Sequence, residues 1–420
     1  MRCGSRELVI AGVLSSALLL GGCGGGGSSA AGSAATPPAS PGDAQNVAVV
    51  TVGGGPANRI NLLFTSVTVC APGDAATCQT VDNVLVDTAS TGLRIFASQL
   101  ASAASLPQQA SDDGSPVAVC GQFADGTVWG SMRLADVRIA GETAKSLPIQ
   151  VIADPAFPVV PASCSGIGAL RNSIQAFGAN GVLGASVFRQ DCGATCARIA
   201  IAGTYYACPV SGCKPVILGL AKQLQNPVAL FAQNNNGVVV DLPAIAADGA
   251  ASVSGSLIFG IGTQANNGLG SAMVTPVDPS RGTFTTLYAN RFYTGSFIDS
   301  GSNALFFNDG SAFAATPGAA PAMPVCRQSF SVGFFCPVSA QTFSAQIQGI
   351  SSIGSTFNFS VANAQDLFTR NPGYKAFGSL AGPIAGTSFD WGLPFFFGRR
   401  IYTAIEGMNT PGGPGPYVAY

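Results

Sequence analysis

Apolar residues recur along the chain in short runs separated by polar, Gly- and Pro-rich stretches, a pattern that favours many strands and turns over long helices. Residues 47–52 and 61–70 read as the first two strands, joined by a turn at Gly54-Gly55-Pro56. A third run enters through Val81 and Val84, breaks at Asp87-Thr88-Ala89-Ser90 and turns apolar again at Leu93-Arg94-Ile95-Phe96. The same wording returns in the second half, where Phe297-Ile298 leads into Asp299-Ser300-Gly301-Ser302 and then Ala304-Leu305-Phe306-Phe307. Each reads as strand–turn–strand with an Asp at the turn. A carboxylate between buried strands is costly unless hydrogen-bonded or shared. Two such turns, one per half, suggest two carboxylates brought together across a pseudo-two-fold axis.

Other runs fill in the frame. Residues 120–132 carry two strand-like arms around Asp125-Gly126 and predict a β-hairpin bearing Phe123 and Trp129, continued by residues 134–139 and Ala140-Gly141. Asn180-Gly181-Val182-Leu183-Gly184 reads as a buried strand ending in Gly, and 192–213, with Tyr205-Tyr206, as a disulfide-pinned pair of hairpins. The halves change over around residues 226–241, and Val238-Val239-Val240 and Leu257-Ile258-Phe259-Gly260 predict strands beyond. The expected fold class is all-β in two lobes, 46–230 with the Asp87 turn and 231–420 with the Asp299 turn.

Length and composition agree with this reading and narrow the chemistry. A chain of 420 residues is enough for two lobes, and only 9% of them are charged, against 54 Gly and 27 Pro. The formal net charge is −1 and no basic cluster appears, so nucleic acid is not an expected partner. The chain has no His, which removes Ser-His-Asp and Cys-His catalysis and most transition-metal sites by inventory. No metal or other cofactor is expected, and acid–base work falls to carboxylates, Lys or Tyr.

The N-terminus reads as a targeting segment over residues 1–22, with Arg2 and Arg6 ahead of an apolar stretch over 8–20. Leu20-Gly21-Gly22-Cys23 resembles a bacterial lipoprotein processing site, which implies lipid on Cys23 and a chain anchored to the envelope, the outer membrane being the expected one, rather than spanning it. Residues 23–45, Gly-rich and then Ala/Ser/Pro-rich, read as a tether holding the folded part on the order of 25 Å from the membrane. Of 12 Cys, Cys3 leaves with the targeting segment and Cys23 takes lipid. An even remainder in an oxidising compartment predicts disulfides. The short spacings suggest Cys70–Cys78, Cys192–Cys196, Cys208–Cys213 and Cys326–Cys336, leaving Cys120–Cys164. Zinc held by Cys192 to Cys213 is the rival reading, a poor one for an exported chain without His.

Asp87-Thr88-Ala89-Ser90 and Asp299-Ser300-Gly301-Ser302 resemble the paired Asp-Thr/Ser-Gly-Ser/Thr loops of pepsin-like aspartic peptidases. The hairpin around Gly126 resembles that family's flap, Asn180 to Gly184 the segment that threads the Asp loop, and Trp391-Gly392-Leu393-Pro394 with Arg400-Ile401-Tyr402-Thr403 the family's final segment. The resemblance implies a two-lobed double β-barrel, a catalytic pair Asp87 and Asp299, Thr88 and Ser300 linking the loops behind it, and Ser90 and Ser302 donating to the carboxylates. It implies an extended peptide or protein as substrate and, with no second chain called for, a monomer. The wider wording also resembles a family of bacterial lipoproteins of unknown function, over nearly the whole mature chain.

Three positions depart from the peptidase pattern. Ala89 stands where the family has Gly, and a left-handed backbone there would cost Ala on the order of 1 kcal/mol and tilt the Asp. Phe123 stands where the flap has Tyr, leaving Trp129 as a substitute donor, and Pro394 stands where the final segment has Gly. The residues therefore support two functions: a membrane-tethered aspartic endopeptidase, or a binding module of the same fold that captures a peptide or glycan without cutting it.

Overall fold

In β1 (Val47–Gly53) every second side chain is buried, with Val50 and Val52 fully inside and Val49 half exposed. That is the period of a strand with one face on a core. The computed structural model describes residues 45–101, 103–309, 323–351 and 354–420, all within one compact unit. The targeting segment, Cys23 and nearly all of the tether lie outside the described residues, as does most of the Pro-rich loop that follows the Asp299 strands. The protein is all-β: the longest helix among the described residues is Ala364–Arg370.

The first half supplies β2 (Leu62–Cys70), β3 (Gln79–Asp87), β4 (Thr91–Phe96), β5 (Val117–Phe123), β6 (Gly126–Ile139), β7 (Glu142–Ile152), β8 (Gly181–Ala185), β9 (Tyr205–Ala207) and β10 (Lys214–Pro215). Next come β11 (Gly237–Leu242), β12 (Val253–Phe259), β13 (Val274–Pro276), β14 (Phe284–Tyr288), β15 (Arg291–Ile298), β16 (Leu305–Phe307), β17 (Gln341–Gln348) and β18 (Gly354–Val361). The chain ends with β19 (Ala381–Gly382), β20 (Phe389–Trp391), β21 (Arg399–Ala404), the small hairpin β22 (Asn409–Thr410) and β23 (Gly413–Pro414), and β24 (Tyr417–Ala419).

Among the described residues, one sheet runs β10-β9-β5-β6-β7-β4-β8-β3-β2-β1-β12-β11-β21-β24-β13 and a second runs β18-β17-β14-β15-β20-β16-β19. The first sheet continues across residue 230, because β1 pairs antiparallel with β12, from Val47↔Ile258 to Val52↔Val253. In the second half, an aromatic cluster replaces the Val-rich core. Phe307 stacks on Phe389 at 5.0 Å, Phe389 on Trp391 at 4.6 Å, and Tyr288 meets Phe307 edge-on at 5.2 Å. Such contacts hold β20 in the centre of its sheet more firmly than three residues of ladder would alone.

Two sequence expectations shift in detail. Phe123 pairs with Gly126, so the hairpin turn is Ala124-Asp125, one residue early, and β6 then runs unbroken through the second predicted arm and its continuation to Ile139. In place of a pair of hairpins over 192–213 there is one, β9–β10, whose loop is closed by Cys208–Cys213 and whose second strand lies just beyond, at Lys214–Pro215. Cys192 and Cys196 are only 4 apart in sequence, which leaves room for a stapled turn but not for paired strands. All five disulfides form as the spacings suggest: Cys70–Cys78, Cys120–Cys164, Cys192–Cys196, Cys208–Cys213 and Cys326–Cys336. No helix among the described residues is long and apolar enough to cross a membrane.

Candidate active site

The last residues of β3, Val84 to Asp87, and all of β4 and β8 are buried, as an unbroken apolar run requires when strands cover both edges. β8 lies between them, parallel to β3 (Val86↔Leu183, Asp87↔Gly184) and antiparallel to β4 (Thr91↔Ala185). Gly184 permits this, since a Cβ there would meet the Ser90 carbonyl at 2.7 Å. The second half repeats the plan. β20 is parallel to β15 (Phe297↔Asp390, Ile298↔Trp391) and antiparallel to β16, and Asp299 N–H extends the ladder to the Trp391 carbonyl at 3.1 Å. Here Gly392 is the residue without room for a side chain, its Cβ position lying 2.8 Å from the Ser302 carbonyl oxygen. The Gly that the resemblance seeks at position 394 is therefore Gly392, and Pro394 lies in the buried turn Leu393–Phe395 beyond it.

Asp87 and Asp299 meet at the point where these two threaded loops face each other. Both are buried, at 6% and 8% exposure. A Cβ placed on Gly301 would lie 2.8 Å from the Asp87 carboxyl carbon and 3.1 Å from Asp299 Oδ1. Those two atoms are therefore no more than about 6 Å apart, inside the range in which like charges shift one another's protonation. Behind them the loops exchange hydrogen bonds. Ser300 N–H donates to Thr88 Oγ1 at 3.0 Å and Thr88 N–H to Ser300 Oγ at 3.2 Å. The two hydroxyls then donate across, Ser300 to the Val86 carbonyl at 2.7 Å and Thr88 to the Ile298 carbonyl at 3.3 Å.

The two carboxyls are not held alike. Asp87 Oδ1 accepts from the amides of Ala89 at 2.9 Å and Ser90 at 3.0 Å. Asp299 accepts from Gly301 N–H at 2.7 Å and from the Ser302 hydroxyl, on Oδ2, at 2.7 Å. Ser302 thus donates to its carboxyl, whereas Ser90 Oγ is buried without a hydrogen-bond partner among the described residues, contrary to the role expected of it. Burial, then the nearby Asp87 and Asp390 carboxyls, push Asp299 well above the usual carboxylate range, against the pull of Ser302 and the Gly301 amide.

Ala89 carries no backbone strain, because its φ is not left-handed, and neither is that of Gly301. What the glycine provides is space: it admits the Asp87 side chain where Ala89, in the equivalent place on the other loop, presents a methyl. The hairpin residues divide. Phe123 packs against the apolar wall of Leu85 and Val182 that flanks the Asp87 loop, with its ring 5.3 Å from Phe177 and 5.9 Å from the Arg94 guanidinium. Gly126 sits against Ala169, whose carbonyl accepts from Thr127 N–H at 2.8 Å, so the hairpin tip is tied down. Trp129 points elsewhere, its indole N–H bonded to the Phe157 carbonyl at 3.0 Å and its ring against Tyr206. It is not a substitute for the missing phenol.

Residues that sequence reasoning passed over complete the site. Asp390, in β20, is a third buried carboxyl at 4% exposure, held well above its usual range first by burial and also by the Asp87 charge, with Ser302 opposing. The signal that marked Asp87 and Asp299, an Asp inside an apolar run, was present at Phe389-Asp390-Trp391 without a following Ser/Gly turn. Buried Arg94 ties β4 outward, donating to Gln150 Oε1 at 2.7 Å and to Asp191 at 3.4 Å, where the Tyr205 hydroxyl also bonds. On the Ala89 side, a cavity of about 390 Å³ opens between Thr88, Ala89, Val187 and Phe188 of one half and Arg281, Phe297 and Ser388 of the other. Among the described residues no group of three or more His, Cys, Asp or Glu is placed to hold a metal ion.

Residues 42–420 match the family described as "Protein of unknown function (DUF3443)", and the chain belongs to that family. No curated protein matches it.

Proposed function

We propose that the protein is an aspartic endopeptidase of pepsin-like, two-lobed arrangement that hydrolyses peptide bonds with Asp87 and Asp299. The observation that carries this reading is the convergence of two threaded Asp loops, cross-linked through Thr88 and Ser300, on one buried carboxyl pair. Two carboxyls this close share a proton, because both cannot ionise in so small a desolvated space. The carboxylate member takes a proton from water as its oxygen adds to the peptide carbonyl carbon. The acid member gives its proton to the carbonyl oxygen, and proton return to the nitrogen then lets the C–N bond break. The pair titrates as a unit, so neither Asp is named sole base.

In this reading Phe123 and the tied hairpin tip form an apolar wall beside the pair, and the substrate is an extended peptide lying along the cleft between residues of both halves. The chain acts as a monomer, exported and held to the envelope by lipid on Cys23. Five disulfides support an oxidising compartment. The test is cleavage of a denatured protein substrate from acidic to neutral pH by wild type and Asp299→Asn. Activity with an acid maximum that vanishes in Asp299→Asn is expected, and activity surviving that change would place the chemistry elsewhere. One arrangement favours the second reading, a binding module: the hairpin offers a phenyl ring packed on Phe177 where a cleaving site would use a hydrogen-bond donor. Binding of a peptide or glycan with no turnover at any pH would select it.

A further inference from the structure

Arg399 and Arg400 are consecutive at the start of β21, and the sheet treats them differently. Arg400 stands opposite Asp241 of β11 and forms an ion pair with it at 3.3 Å, whereas Arg399 stands opposite Leu242. Among the described residues no carboxylate lies within ion-pair distance of Arg399. Its guanidinium lies over the Phe395 ring at 4.6 Å and the Phe357 ring at 5.7 Å, and donates to the Phe395 carbonyl at 2.8 Å. That is its one hydrogen bond among the described residues, although a guanidinium carries several N–H donors. Burial pulls the group below its ordinary pKa. Ring faces attract a cation but do not neutralise it.

Arg399 lines a cavity of about 440 Å³ where the ends of β11 and β21 face β18, the edge strand of the second sheet. The inner lining is apolar: Leu305, Phe395 and Phe397 are buried, and Ile245 and Phe359 are partly buried. The outer lining is polar, with Thr342, Asn358 and Ser360 exposed. Ser379, in the same lining, has a buried hydroxyl with no hydrogen-bond partner among the described residues. Phe395, Phe397 and Arg399 all come from the stretch just after Gly392, so the chain's final segment builds one side of the cavity. Among the described residues Arg399 is the one charged side chain in the lining.

We propose that this cavity binds a small amphipathic carboxylate, its apolar body against Phe359, Phe395 and Phe397 and its carboxyl group on the Arg399 guanidinium. The size is that of a small-molecule site, apolar inside with few polar groups to orient the ligand. One cation suits one negative charge, and the guanidinium fork matches the two oxygens of a carboxylate. A phosphate would bring more charge than one arginine balances, and no lysine or second arginine lines the cavity. Stacking on Phe395 does not by itself call for a charge, because an apolar side chain would cover the ring without the cost of desolvating a cation. Neither Asp87 nor Asp299 lines the cavity, so the proposal stands apart from the peptidase reading.

Calorimetric titration of the full chain with phenylpropionate and with octanoate tests this, with their uncharged amides and inorganic phosphate as comparisons. At least one of the two carboxylates should bind, about 10-fold or more tighter than its amide, and phosphate should not. Arg399→Met, which still covers the Phe395 ring, should lose that margin and bind acid and amide alike. Ala246→Trp, at an exposed position of the lining, should weaken binding with Arg399 in place, and it decides the matter if Arg399→Met does not fold. Asp299→Asn should bind as wild type does. The proposal is overturned if neither carboxylate binds at millimolar concentration, if acid and amide bind wild type equally, or if either cavity variant binds undiminished. Phosphate competing as strongly as the carboxylates would overturn the ligand class, and loss of binding in Asp299→Asn would move the site to the carboxyl pair.

Discussion

Thr88 and Ser300 hydrogen-bond each other's loop reciprocally, amide to hydroxyl in both directions, at 3.2 and 3.0 Å. Each hydroxyl also donates to a carbonyl in the opposite half, so the four bonds form a closed set with no group left over. This set fixes the Asp87 and Asp299 loops relative to one another, because the residues involved directly follow the two carboxyls in the chain.

Thr88→Val keeps the shape of the side chain and deletes the acceptor of the buried Ser300 amide. It should destabilise the fold by about 1–3 kcal/mol, the cost of an unsatisfied buried donor. Ser300→Ala should do the same from the other side. The double variant should cost less than the sum of the two, since they share one network. Chemical denaturation of the three variants measures this, and strict additivity would show that the loops are held by something else.

Gly301→Ala would bring a methyl within 2.8 Å of the Asp87 carboxyl carbon, without backbone strain, because Gly301 is not left-handed. The chain should fold with near-normal Tm while Asp87 is displaced and, on the peptidase reading proposed above, turnover falls by about 100-fold. Ala89→Gly removes the methyl that the other loop carries and should raise turnover. The same peptide-cleavage assay reads both, and a gain from Gly301→Ala would reverse the roles given to the two loops.

Asp299 and Asp390 hold their protons well above the usual carboxylate range in the folded chain. In the unfolded chain they titrate near about 4. Between that pH and their raised folded values, the folded state binds more protons, so stability present in acid is lost as pH rises through the window. Tm should therefore fall from about pH 4 towards neutrality, and Asp390→Asn should flatten the fall by removing one buried proton-binding group. A Tm that rises with pH over this range would contradict the assignment.

Cys120 and Cys164 join β5 to the short helix Ala162–Ser165 across 44 residues of chain. Replacing both with Ala should cost about 4 kcal/mol by the chain-entropy relation for a loop of that length. The expected lesion is local: segment 162–171, which anchors the hairpin tip through Ala169, should gain amide exchange before the Val-rich core does. Uniform loss of protection would place the disulfide's effect in the global fold instead. With all five bridges formed, thiol labelling of the denatured, unreduced chain should find none of these ten Cys reactive.

The local pattern was sufficient for much of this architecture. Alternation in residues 47–52 set β1, an unbroken apolar run set β3 and β8, and the apolar-Asp-hydroxyl-small-Ser wording located both carboxyl turns, because strand period and turn chemistry act over a few residues. The disulfide pairing was legible for the same reason, most of the rings being short. The sequence by itself could not show which Gly meets the second Asp loop, since Gly392 and a Gly at 394 differ only in the register of β20 against β15. Nor could it show that Trp129 is buried against Tyr206 with its indole N–H on the Phe157 carbonyl, or that Ser302 finds its carboxyl while Ser90 finds no partner. Those outcomes depend on contacts between segments far apart in the chain, such as Asp87 with the Gly301 backbone. Asp390 is the sharpest case. In sequence it is one acid in an apolar run, and only the pairing of β20 with β15 carries it into the buried centre near the carboxyl pair, where desolvation holds its carboxyl well above the usual range.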